Sequence, residues 1–283
     1  MTSSNFLRAD VSFDCAGDEE LIEASRDWLT FGFKFICPEL LEKLDEGGSD
    51  IYATITRAST VDDSARSQPY SRANWERMLS SLSERPFSTT LSIFRGSAKN
   101  SKFLGSLSVD HLNPSGKWMA FTADITARDE DLANPAYCRR WVDFLAYSLN
   151  RVSPASGVVG NDYRGYGETT LDVALNRPRR VSMREARRFL RGYGWVTICP
   201  ADIVRRLNGA ERLNDSDVFC RIENLPDGSA ILQSTLSYDQ YNDVAVRRVF
   251  EVLAPVLPSG NPSRRDAPER ARLIFEDAGR YRM

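Results

Sequence analysis

The chain has 283 residues, 42% of them hydrophobic, 10% aromatic and 27% charged, and its 37 basic and 39 acidic side chains leave a net charge of −2. These values exclude a disordered chain, a collagen-like repeat and a coiled coil, and the length suits one large domain or two small ones. The single histidine, His111, removes enzyme classes built on paired imidazoles, such as two-histidine metal sites.

Residues 1–50 read as an acidic N-terminal helical segment. Its helix runs from Asp18 to Leu44, with Leu21, Ala24, Trp28 and Leu29 spaced by one turn and Gly47-Gly48 as the stop. Ile51 to Arg57 alternates like a strand, and Ser71 caps a helix carrying Trp75, Met78, Leu79 and Leu82 on one face. Thr89 to Phe94, Phe103 to Val109 and Trp118 to Ile125 read as strands, the last two joined at Pro114-Ser115-Gly116. A helix from Asn134 to Val152 follows, closed by Pro154.

Gly157 to Arg191 has a different composition. Gly160, Gly165 and Gly167, with Asn161 and Asp162, mark turns that need positive φ. Thr169 to Leu175 alternates as a strand, and Ser182 with Glu185 forms a capping box that starts a helix through Arg191. Gly194 to Cys199 predicts a strand, and Ala201 to Leu207 a short helix ended by Asn208-Gly209. Val218 to Ile222 and Ala230 to Leu236 flank the turn Pro226-Asp227-Gly228, and a final helix leads to Pro258. A linker and a short, peripheral tail helix occupy 259–283.

The helices starting at Asn134 and Asn242 align without gaps, sharing Asn, Arg-Arg, Leu, Ala and Leu, and each follows a hairpin with a Pro-x-Gly turn. The expected fold is therefore α+β, with two related halves at 51–156 and 157–258. Each half is a mainly antiparallel sheet packed against helices.

Charge is spread unevenly. Residues 1–50 hold twelve acids against four bases, whereas 164–191 hold eight arginines against Glu168, Asp172 and Glu185. The basic stretch reads first as a solvated face and second as an anion or partner patch. A pI near 5.7 argues against nucleic acid as a partner. The five cysteines, Cys15, Cys37, Cys138, Cys199 and Cys220, are odd in number and form no C-x-x-C pair, which points to free thiols in a reducing compartment. Met1 to Asp10 lacks the features of a signal peptide, and the longest uncharged runs are too short to span a bilayer. A soluble, cytoplasmic protein is expected.

The sequence contains no G-x-x-x-x-G-K-[ST], no G-x-S-x-G and no H-E-x-x-H motif. Gly165-Tyr166-Gly167 lacks the third glycine of a dinucleotide fingerprint, and His111 reads as a capping residue at a hairpin end. Asp124, Asp129, Glu130 and Asp131 form the densest acidic cluster, whose plainer reading is a solvated loop. No catalytic, cofactor or metal site is assigned.

One stretch carries a resemblance. Tyr193-Gly194-Trp195-Val196-Thr197 is followed by Arg206-Leu207-Asn208-Gly209, then Leu225-Pro226-Asp227-Gly228, Gln233 and Leu253-Ala254-Pro255-Val256. Over residues 192–258 this order resembles the C-terminal part of the bacterial type VI immunity family. The resemblance implies a non-enzymatic protein that binds and neutralises a cognate protein toxin. It assigns no binding residues. From residue chemistry alone, the loop Asn161 to Gly167 is the candidate interface, through Tyr163, Arg164 and Tyr166. Two alternatives stay open: a hydrolase-type enzyme using carboxylates and arginines in a cleft between the halves, and a regulatory module whose Arg164 to Arg191 patch binds an acidic protein or nucleic acid.

Overall fold

The structure, a computed structural model, describes residues 5–14, 19–46, 50–97, 99–112, 118–161, 167–267 and 271–282. Alternation sets the first strand, β1 (Asn5–Phe13): Leu7, Ala9, Val11 and Phe13 are buried on one face, while Arg8 and Asp10 point to the other. Two helices follow, α1 (Glu19–Ile36) and α2 (Pro38–Asp45), divided where Pro38 cannot continue the first. The strands β2 (Ile51–Ala58) and β3 (Arg66–Pro69) lead to α3 (Arg72–Ser80), which Ser71 caps by accepting the Asn74 amide at 3.2 Å.

Three longer strands come next: β4 (Ser88–Ser97), β5 (Asn100–His111) and β6 (Met119–Ala127). A single turn, α4 (Asp129–Leu132), precedes α5 (Pro135–Leu149), capped by Asn134. Beyond it lie β7 (Ser156–Gly160), α6 (Thr170–Ala174), α7 (Arg179–Arg184), β8 (Val196–Cys199), α8 (Ala201–Arg206) and α9 (Gly209–Asn214). The hairpin of β9 (Arg221–Asn224) and β10 (Ala230–Gln233) and the helix α10 (Asp243–Leu253) complete the order.

Among the described residues the ten strands form one antiparallel sheet, ordered β3-β2-β4-β5-β6-β1-β7-β8-β10-β9. The fold is α+β, as expected. The strand from the first fifty residues sits between β6 and β7, so the sheet runs unbroken past residues 156 and 157. On one face, α1 and α5 pack through Trp28 and Phe144, whose rings lie 4.5 Å apart, and Trp28 Nε1 donates to the Thr122 carbonyl at 3.0 Å. Burying these aromatics provides the main drive for that layer.

Five local expectations are corrected. Residues 1–50 contain β1 as well as helices; its central Arg8-Ala9-Asp10 hid an alternating strand behind charge. Thr169 to Leu175 is helical over Thr170–Ala174, because the Thr169 hydroxyl accepts from the Asp172 amide at 3.1 Å and the Asp172 side chain answers the Thr169 amide in a capping box. Ser182 lies inside α7 and donates to Asp172, so its box with Glu185 does not form and the helix ends at Arg184. Gly160 belongs to β7, where Gly157 is needed instead: a Cβ there would meet Ile198 Cδ1 at 2.6 Å. The tail is also docked rather than peripheral, with Leu273 and Ala278 buried and the Tyr281 ring 5.2 Å from Phe250.

Candidate functional site

The sheet face turned away from α1 and α5 is polar from β2 to β1. Strand register sets Thr54, Ser92, Ser106, Asp124 and Arg8 side by side across five strands. The next row is Thr56, Thr90, Ser108, Thr122 and Asp10. At one end of the same face stands an aromatic row. Tyr52 stacks on Phe94 at 5.3 Å, and Phe94 meets Phe103 edge-on at 5.8 Å, with Phe103 40% exposed. A register shift between Ile93 and Phe94 lines these rings up.

The charges on this face satisfy one another. Arg8 donates to Asp124 at 2.9 Å and to Asp10 at 3.3 Å. Asp110 accepts from Ser88 Oγ at 2.5 Å and Ser108 Oγ at 3.0 Å. Burial nevertheless pushes the Asp110 carboxyl above its ordinary value, outweighing both hydroxyl bonds. Burial likewise raises Asp124, against the pull of the Arg8 guanidinium. Arg8 and Asp10 join Glu168, Thr169, Thr170 and Tyr193 around a cavity of about 40 Å³, room for about one water.

The described residues on either side of the candidate loop, Gly160 and Glu168, line this cavity. The loop's upstream neighbour Gly160 pairs with Arg8, and its downstream end Gly167, at φ 74°, gives its carbonyl to Arg191. Tyr163, Arg164 and Tyr166 themselves lie outside the described residues.

Much of the basic stretch is consumed inside the fold. Asp172, fully buried, accepts from Arg191 at 3.0 Å, Ser182 at 2.7 Å and Arg177 at 3.4 Å. Arg191 also donates to Ser182 Oγ at 2.7 Å and to Ser12 Oγ on β1 at 3.3 Å. Arg177 reaches Glu185 at 2.9 Å, and Arg187 clasps Asp14 through two bonds of 2.6 and 2.7 Å. Arg179 donates to the Leu112 carbonyl at 3.0 Å. These arginines pin residues 167–191 to β1 and to the end of β5.

The acidic cluster is not one site. Asp124 lies on the sheet, whereas Asp129, Glu130 and Asp131 form the first turn of α4, where Asp131 accepts from Arg128. His111, expected as a surface or capping residue, donates from Nδ1 to the Pro86 carbonyl at 2.7 Å. Cys37, Cys138 and Cys199 are buried, and burial pushes all three thiols up, Cys138 to about 11. Among the described residues, no group of three His, Cys, Asp or Glu is placed to hold a metal ion, and no helix is long and apolar enough to cross a membrane.

Sequence reasoning missed the aromatic row, because Tyr52, Phe94 and Phe103 become neighbours only through strand register. It also missed Asp172 as the hub of a buried network.

No family model matches the chain, and no curated protein matches it. Among solved structures, its fold is similar to that of a Pseudomonas aeruginosa T6SS protein, PA0821. The TM-score is 0.55 at 12% identity, over 98% of this chain and 81% of that one.

Proposed function

We propose that the chain is a non-enzymatic, immunity-type protein that works in the cytoplasm, binds a cognate protein toxin of a type VI setting and holds it inactive. The observation that carries this reading is the likeness of fold, along 98% of the chain, to a T6SS protein. The order of motifs over residues 192–258 points the same way, while no family model matches the chain.

The contact surface we assign is the polar sheet face together with the loop bearing Tyr163, Arg164 and Tyr166. Such a face offers a row of aromatic anchors, Tyr52, Phe94 and Phe103, flanked by hydroxyls that can adapt to a partner. The alternative of a carboxylate and arginine active site has less support. The cavity gathering Arg8, Asp10 and Glu168 holds about 40 Å³, and Arg8 is already engaged by two carboxylates.

The test is co-expression of the chain with each toxin candidate encoded beside its gene, followed by co-purification. One candidate should be rendered harmless and recovered in complex. A double variant, Phe94→Ala with Phe103→Ala, and a triple variant at Tyr163, Arg164 and Tyr166 should each weaken that complex. Protection by no candidate, or protection unchanged in both variants, overturns the function or the surface respectively.

A further inference from the structure

Three arginines from separate stretches meet at one ring. Arg188 and Phe189 lie in the turns after α7, Arg206 ends α8, and Arg282 comes from the C-terminal tail. Their guanidinium carbons stand 5.0, 5.8 and 4.6 Å from the centroid of Phe189, within cation–π range. All three arginines are exposed.

Backbone carbonyls hold two of them in place. Arg206 donates to the Arg188 carbonyl, and Arg282 donates to the Leu257 carbonyl at 2.6 Å. Their neighbours Arg187 and Arg205 are paired with Asp14 and Asp202, but none of the three at the ring has an ion pair among the described residues. Burial, then Arg282 and Arg188, push Arg206 below its ordinary value, so the cluster is electrostatically uncomfortable as it stands. Like charges this close repel at separations that salt screens only in part. A bound anion removes that penalty.

We infer that Arg188, Arg206 and Arg282, gathered around Phe189, form a docking site for a carboxylate-rich segment of a partner protein. Planar guanidinium forks match carboxylates in pairs, and their fixed placement lowers the entropy lost on binding. Nucleic acid fits less well. A nucleic-acid-binding domain is basic as a whole, whereas this chain has a net charge of −2 and a pI near 5.7. The inference concerns the partner's charge and not its activity, so it stands apart from the toxin reading.

The experiment measures fluorescence anisotropy of a labelled oligoglutamate peptide against the full chain at low salt. The peptide should bind, and the triple variant Arg188→Ala, Arg206→Ala, Arg282→Ala should bind about tenfold more weakly, since three exposed ionic contacts of about 0.5 kcal/mol each multiply to that factor. A control triple of equal charge loss, Arg66→Ala, Arg72→Ala, Arg95→Ala, should bind within about twofold of the parent. Arg282→Ala alone gives a partial loss, and the unchanged thermal unfolding of each variant guards against a folding defect in the triple. Equal loss in both triples would reduce the effect to net charge and overturn the site. So would no peptide binding by the parent, or tighter binding of a single-stranded oligonucleotide of equal charge.

Discussion

Two arrangements among the arginines between 177 and 191 differ in everything except residue type. Around Asp172, Arg177 and Arg191 are shielded from water, fully bonded and part of the scaffold. Around Phe189, Arg188 is exposed and shares a ring with two more arginines instead of a carboxylate. The first arrangement can be retained only because a buried charge has its partner at hand. The second has no such constraint and carries little of the fold's stability. Position in the run decides nothing; an acceptor within reach, Asp172 for Arg177 and Arg191, Asp14 for Arg187 and the Leu112 carbonyl for Arg179, decides which arginines hold the chain together.

The sharpest way to break this comparison is Asp172→Ala. It leaves Arg191 buried without its carboxylate and should cost about 3–5 kcal/mol in urea unfolding, as loss of one member of a buried pair does. A cost near zero would mean that Arg191 is satisfied by Gly167, Ser12 and Ser182 alone. Replacing both partners, Asp172→Leu with Arg191→Met, should recover much of that loss, since an apolar pair avoids the unpaired charge. On the other side, the alanine triple at Arg188, Arg206 and Arg282 should move unfolding stability by only about 0.5 kcal/mol per site or less while weakening peptide binding. A large destabilisation there would erase the distinction between scaffold and surface.

The sheet-face carboxylates form an intermediate case. Asp110 and Asp124 titrate above the ordinary 3.8 because burial disfavours their charged forms. Between that value and the raised one, the folded chain holds protons that the unfolded chain has released. Stability therefore falls as pH rises through this window. Asp110→Asn should flatten the slope, which thermal unfolding at a series of pH values will measure. An unchanged slope would place the titrating groups elsewhere. The smallest stability effect is expected of Phe103→Ala, a half-exposed ring whose loss should be felt in partner affinity before it is felt in unfolding.

Much of the fold could be read in advance where periodicity and burial coincide. The strands β4, β5 and β6 and the helix α5 follow their hydrophobic patterns closely. Readings failed where polar side chains set the local structure. Thr169 to Leu175 alternates convincingly, yet a cap by Thr169 and the ion pairs of Asp172 make it helical. In β1, Arg8 and Asp10 concealed a central strand because Asp124, the other carboxylate that Arg8 binds, is far away in sequence. The candidate surfaces were least legible. Tyr52, Phe94 and Phe103 need strand register, and Arg188, Arg206 and Arg282 need tertiary packing, to become neighbours. Tyr163, Arg164 and Tyr166, the interface expected from sequence, lie outside the described residues.

The most direct measurement is calorimetric titration of the full chain with the purified product of each toxin gene found beside its own, paired with an assay of that toxin's activity. The account predicts one partner that binds one-to-one and loses its activity on saturation, with weaker binding when Phe94 and Phe103 are truncated. Binding by none of the candidates, or saturation that leaves the toxin fully active, would contradict it.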